Sequence, residues 1–309
     1  MSETRKQHYV PQCYLKQFAC EKKGAPKIYV YDKRNKKAYC NEIKNVAEER
    51  DFYRVENKAF TVPPPNNDPL FYENFFSKLI ESRIPTILNQ IKMLHTMTMP
   101  DKEILSYEMK KTLSVFILTQ LFRTPKTRNA LMKIFIPKCQ QKVESTKRAI
   151  QKMEFFPSKG AYINKISSLT DFESLVNSIN LSHFTNSENI DYYTDLLIKN
   201  HAWVIYDNVL YKSFPFVTSD NPVVMYNLDN EDMGFGTRNG LEVDSTVFSL
   251  PLTPRFLLTV YHRRNLIGRF SNAFQDRFQS TDEGSFILKM NMIHFQQCER
   301  FCYSNLLLS

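Results

Sequence analysis

The chain has 309 residues, 42% of them hydrophobic and 24% charged, which is long enough to bury a full core without disulfide staples and too apolar for wholesale disorder. Lys and Arg number 41 against 32 Asp and Glu, a net charge of +9, and no apolar run approaches the roughly 18 residues of a membrane span. The start, MSETRKQHYVPQ, lacks the apolar segment of a secretory signal, so the expectation is a cytoplasmic protein without membrane contact, whose six cysteines are reduced thiols.

Three regions follow in chain order. In the head, 1–62, Pro11 suits the first turn of a short helix through Tyr14, Leu15 and Phe18. Residues 27–32 alternate as a strand, 34–37 read as a hairpin turn into a second strand, and 51–55 as a third. The proline-rich segment 62–69, VPPPNNDP, reads as a rigid extended connector. The region 63–200 is expected to be helical. Leu70, Phe71, Phe75, Leu79, Ile80 and Ile84 recur at three and four, and Pro85 marks a kink or boundary. Residues 104–122 give the strongest helix pattern. A basic helix is expected to about 155, and a further one over 191–199. In 201–309 the period changes to strands at 201–206, 214–218, 223–226, 243–250 and 256–261, closed by a helix over 286–303. The expected class is α+β: a helical middle region packed with a mainly antiparallel sheet from the N-terminal head and the C-terminal third, together one unit.

The charge is uneven. Between 121 and 160 stand ten basic residues against Glu144 and Glu154, a surplus of eight. Such a stretch predicts either a nucleic-acid partner or a solvated helix face. Cys298 and Cys302, four apart on the expected last helix, read as small apolar core residues rather than half a metal site. No dinucleotide fingerprint, Walker loop, nucleophile elbow, zincin or zinc-deaminase motif occurs, which excludes the standard forms of those enzymes.

Candidate site residues are few. His8, before a forced extended step and a helix start, is a base, acid or ligand candidate, or a ring that pins the N-terminal segment. Gln12 lies one turn on. Asp220, at a strand end, either holds a metal and activates water or makes the Asx turn that Asp-Asn-Pro favours, with Asn221 as a hydrogen-bonding neighbour. Arg123 and Arg128 flank Pro125 and either converge on one anion or pair with structural acids such as Glu73 and Glu81. Glu73, Glu81 and Asp220, with His8, are the residues from which a Mg²⁺ or Mn²⁺ site would be built. Trp203 reads as core.

Several separated segments carry a family resemblance: 7–18 (QHYVPQCYLKQF), 123–128 (RTPKTR), Trp203 with 216–223 (FVTSDNPV), 251–254 (PLTP), and Asn291 with 299–304 (ERFCYS). Together they resemble the domain-of-unknown-function 4238 family over nearly the whole chain. The resemblance implies no reaction, because the family has no settled activity; it implies that His8 and Asp220 belong to one shared site. Two functions are expected: a metal-dependent phosphoesterase or nuclease serving as a toxin or in defence, with His8 and Asp220 catalytic and Gln12, Arg123, Arg128 and Asn221 holding substrate; and a non-catalytic regulatory module that binds nucleic acid or protein.

Overall fold

The computed structural model describes residues 6–20, 23–55, 61–97, 103–228, 239–264 and 275–307. In the head, β1 (Lys6–His8) leads through Pro11 into α1 (Gln12–Leu15), followed by β2 (Lys27–Asp32), β3 (Lys37–Glu42) and β4 (Glu48–Arg50). The helical region holds α2 (Phe71–Phe76), α3 (Ile84–Met97), α4 (Tyr107–Phe122), α5 (Pro125–Lys152), α6 (Lys159–Ser167), α7 (Phe172–Thr185) and α8 (Ser187–Asn200). The last third adds β5 (His201–Asn208), β6 (Thr218–Ser219), β7 (Val224–Asn227), β8 (Thr246–Pro251), β9 (Phe256–His262), β10 (Arg277–Thr281), α9 (Gly284–Gln297) and β11 (Phe301–Ser304).

Local chemistry sets the helix starts. The Ser106 hydroxyl accepts the Met109 N–H before α4, and Asp171 and Asn186 cap α7 and α8 in the same way. Pro125 opens α5, where its missing N–H costs nothing. Pro137 is carried inside α5 on the exposed side, where water can serve the carbonyl that loses its partner.

Sheet pairing joins the ends of the chain. One sheet runs β3-β2-β11-β6, all antiparallel, so the head hairpin is completed by strands from the last third. A second runs β10-β5-β9-β8-β7, antiparallel except that β10 lies parallel to β5. Both faces of this sheet are covered. Trp203 and Ile205 of β5 join the main core with Phe116, Ile117 and Phe248, while Ala202 and Val204 join a second cluster with Ile287 and Met290 of α9. Side chains alternate across a strand, so a strand buried on both sides reads as a continuous apolar run. The fold is α+β, helices on one side and α9 on the other.

Three expectations are corrected. Residues 51–53 form a turn, with Asp51 at φ +54°, and the strand is 48–50. Of the strand expected at 214–218 only β6 forms. The last helix stops at Gln297, so Cys298 follows its end and Cys302 lies on β11, rather than both on one helix face; both thiols are buried. The helix ends there because the next amides are taken by the Asp220 carboxylate, as described below. Strand β10 and helices α6 and α7 lack a distinct signal of their own in the pattern.

Candidate functional site

Residues 7–12 are held rigidly before any chemistry begins. His8 pairs with Glu48 across β1 and β4. The Tyr9 N–H donates to Ala47 O, and Pro11 O accepts from both Tyr14 and Leu15 as α1 begins. Gln7 is buried: its side-chain oxygen accepts the Tyr53 N–H at 2.6 Å and its amide donates to Glu73 Oε2 at 3.0 Å. The Tyr53 hydroxyl donates to His8 O at 3.1 Å.

This framework defines the His8 ring. Nδ1 is 3.1 Å from Val46 O, which can only accept, so Nδ1 carries the proton. Nε2 then presents its lone pair to the Gln12 amide at 3.0 Å. Partial burial pushes the imidazole below its ordinary value, against the pull of Glu48, so the ring is neutral at pH 7.

Around His8 and Gln12 opens a cleft of about 460 Å³. Glu73 on α2, Glu81 and Arg123 line it too, with Lys6, Lys44 and Glu48 also on its wall. Residues 77–81 continue α2 as a single π-helical turn, and both its ends, Ser77 and Glu81, face the cleft; such turns recur at functional sites. Arg123, just past α4, is only 3% exposed. The orientation of the Gln120 amide that satisfies its neighbours turns its oxygen to Nε and Nη2 of Arg123, at 2.7 Å each, and its NH2 to Tyr9 O, at 3.3 Å. The Arg123 guanidinium sits 5.2 Å from the Phe76 ring centroid. Among the described residues no carboxylate stands within ion-pair distance of it. A buried cation balanced by a neutral amide and a ring face retains strong affinity for an anion.

The other expected site residues lie elsewhere. Arg128 does not converge with Arg123: its Nη2 donates to both Glu49 oxygens at 2.9 Å and its guanidinium stacks 4.3 Å over Phe52. Asp220 and Asn221 do not line the cleft. Asp220 is 2% exposed, and its carboxylate accepts the backbone N–H of Glu299, Arg300 and Phe301 at 2.8, 2.7 and 2.7 Å. Burial pushes its carboxyl up to about 6 against the pull of those amides. Asn221 accepts from the Thr124 hydroxyl and donates to Gln297 O, so it ties the α4–α5 junction to the end of α9. The family segments do meet, but through another pair: the Tyr14 hydroxyl donates to Pro251 O at 2.6 Å and lies 2.7 Å from Thr218 Oγ1.

The carboxylate trio Asp220, Glu73 and Glu81 is not assembled, because Asp220 is turned onto the amides of 299–301 while the two glutamates face the cleft. Among the described residues no three His, Cys, Asp or Glu side chains come together as a metal site, so this set does not fit Mg²⁺ or Mn²⁺. Nor is any helix among them long and apolar enough to cross a membrane.

A family model matches residues 6–306. The chain belongs to that family, DUF4238, described as a protein of unknown function. Neither curated proteins nor solved structures gave a match. In this DUF4238 chain segments 7–18 and 123–128 supply His8, Gln12 and Arg123 to the cleft, and segments 7–18, 216–223 and 251–254 make the buried Tyr14–Thr218 junction. Lys6, Glu48 and Tyr53 join the cleft through the β1–β4 pairing and the turn after it, and Lys44 through the short 3-10 turn before β4; that pairing leaves no motif in the sequence.

Proposed function

We propose that the cleft binds a phosphate-bearing ligand and that the protein acts there on a phosphoester. The observation that carries this is Arg123, a buried guanidinium facing a polar cleft with no carboxylate partner. Its planar fork matches phosphate oxygens and is always charged. Glu81, with no ion-pair partner among the described residues, supplies a carboxylate for proton abstraction, and His8 a neutral imidazole beside it. Gln12 orients the ring. Asp220 and Asn221 support this reading as fold-holding residues, and Arg128 as a brace on Glu49.

The test is a binding and cleavage panel. Inorganic phosphate, mononucleotides, bis(p-nitrophenyl) phosphate, RNA and single- and double-stranded DNA are offered with and without Mg²⁺ or Mn²⁺, to the parent and to Arg123→Lys and Glu81→Gln. The expected result is a phosphate-dependent rise in Tm that Arg123→Lys removes, and turnover that Glu81→Gln removes without loss of that rise. No rise and no turnover with any of these compounds overturns the reading.

A second reading has its own observation. Both ring nitrogens of His8 are already hydrogen-bonded within the protein, which suits a rigid binding module better than a proton shuttle. It expects the same rise in Tm with no turnover. Its partner is anionic. Of the ten basic residues between 121 and 160, Lys126, Arg128, Lys147 and Lys159 are spent on contacts within the fold and Arg123 faces the cleft. The other five, Lys133, Lys138, Lys142, Arg148 and Lys152, are exposed and without an ion pair among the described residues.

A further inference from the structure

Helices α5 and α7 leave a groove between them. Its floor is Leu131, Phe135 and Cys139 from α5 and Val176 and Ile179 from α7, with His183 and Phe184 at one end, and its volume is about 280 Å³. The positions recur as a helix face requires: every four residues on α5, and at 176, 179, 180 and 183 on α7. Val176 and Asn180 are buried at its base, and the other lining side chains are not. Ile179 is 50% exposed, Phe135 45% and neighbouring Ile134 40%. Large apolar side chains left about half exposed around one groove mark a contact surface.

Charge says what covers it. At 3.6 residues per turn, Lys138 and Lys142 fall within about 100° of arc with Leu131, Phe135 and Cys139. Both lysines are exposed. Lys138 Nζ lies 5.7 Å from the centroid of the Phe135 ring, at the groove edge. No acidic side chain lines the groove, and the nearby Glu144 is already paired with Lys147 at 2.7 Å. The floor is apolar and the edge cationic.

We propose that the α5–α7 groove docks an amphipathic helix of a partner protein, with apolar anchors at i, i+3 or i+4 and i+7, and acidic residues flanking them. Such a helix fills the floor with its anchors while its carboxylates meet Lys138 and Lys142. A nucleic acid uses the surface less well. Single strands gain affinity by stacking bases on aromatic faces; of the aromatic side chains here, Phe184 is already stacked on Phe122 and His183 stands edge-on to Phe184, which leaves Phe135, while Leu131, Val176, Ile179 and Cys139 offer nothing to stack on. This proposal is independent of the His8–Arg123 cleft.

The test selects binders for the full-length protein from a displayed library of helix-forming peptides, with Ile179→Asp as counter-selection. Ile179 is half exposed, so this variant keeps the fold, which a matched Tm verifies. Enriched peptides are expected to carry the i, i+3/i+4, i+7 apolar pattern with flanking Asp or Glu. A synthesised winner should bind at least about tenfold more weakly to Lys138→Glu/Lys142→Glu, and lose several-fold affinity as salt screens the charges. Four results overturn the proposal. Enrichment gives no acidic bias. Binding persists in Ile179→Asp. RNA or DNA binds through Lys138 and Lys142 with no effect of Ile179→Asp. Or the protein forms a dimer that Ile179→Asp dissolves, which makes a second copy the occupant.

Discussion

Asp220→Ala separates a catalytic carboxylate from one that holds the chain together. In the parent, three backbone N–H groups converge on that carboxylate at 2.7–2.8 Å. They belong to the residues between the end of α9 and the start of β11, a step too tight for amides to find other partners. Alanine leaves all three facing a buried space. An orphaned buried donor costs about 1–3 kcal/mol, so three give roughly 3–9 kcal/mol, and water entering from the Glu299 side brings the expected loss to the low end, about 3–4 kcal/mol. Against a total stability of about 5–15 kcal/mol, that is a large fraction, equivalent to a fall in Tm of roughly 5–10 °C. Asp220→Asn keeps one acceptor oxygen but turns an NH2 toward an N–H, and should fall between parent and alanine. Urea unfolding at pH 7, followed by far-UV circular dichroism, measures all three. Alanine within about 0.5 kcal/mol of the parent, together with loss of any phosphoester turnover, would refute the anchoring role and return Asp220 to the catalytic list.

The remaining predictions use the same logic. Burial pulls the His294 imidazole down to about 3, so the unfolded chain takes up a proton near pH 6.5 that the folded chain refuses. That stabilisation is present above pH 6.5 and declines as pH falls toward 3; by pH 5 the loss is about 2 kcal/mol, and urea titrations at pH 7 and 5 should show a smaller fall in His294→Leu. Arg128→Ala removes a partly exposed pair with Glu49 and a stack on Phe52; it should cost about 1 kcal/mol and leave phosphate binding intact, whereas Arg123→Lys should abolish that binding, and equal effects would show that the two act together after all. The His8 ring should be the Nδ1–H tautomer at pH 7, read from ¹⁵N shifts of the imidazole; an Nε2–H ring would mean that Val46 does not hold it.

The 3.6-residue spacing within 104–122 and the alternation of 27–32 are local signals, and α4 formed over 107–122 and β2 over 27–32. Trp203 was legible as core because a large ring in an apolar strand has nowhere else to go. The last helix ran short of its pattern because the competitor for its amides, Asp220, sits some eighty residues away in sequence. No window across 286–303 contains that carboxylate.

The candidate site divides in the same way. Sequence by itself singled out His8, Gln12, Glu73, Glu81 and Arg123, because imidazole, carboxylate and guanidinium carry recognisable chemistry wherever they fall. Only the tertiary structure decided that these five share one cleft while Arg128, Asp220 and Asn221 do not. The deciding contacts, β1 on β4, Gln120 on Arg123 and the 299–301 amides on Asp220, are made between groups whose geometry exists only after the chain has closed. A residue's chemistry is local, but whether its polar atoms are spent on the fold or left for a ligand depends on what the folded chain brings within hydrogen-bonding distance.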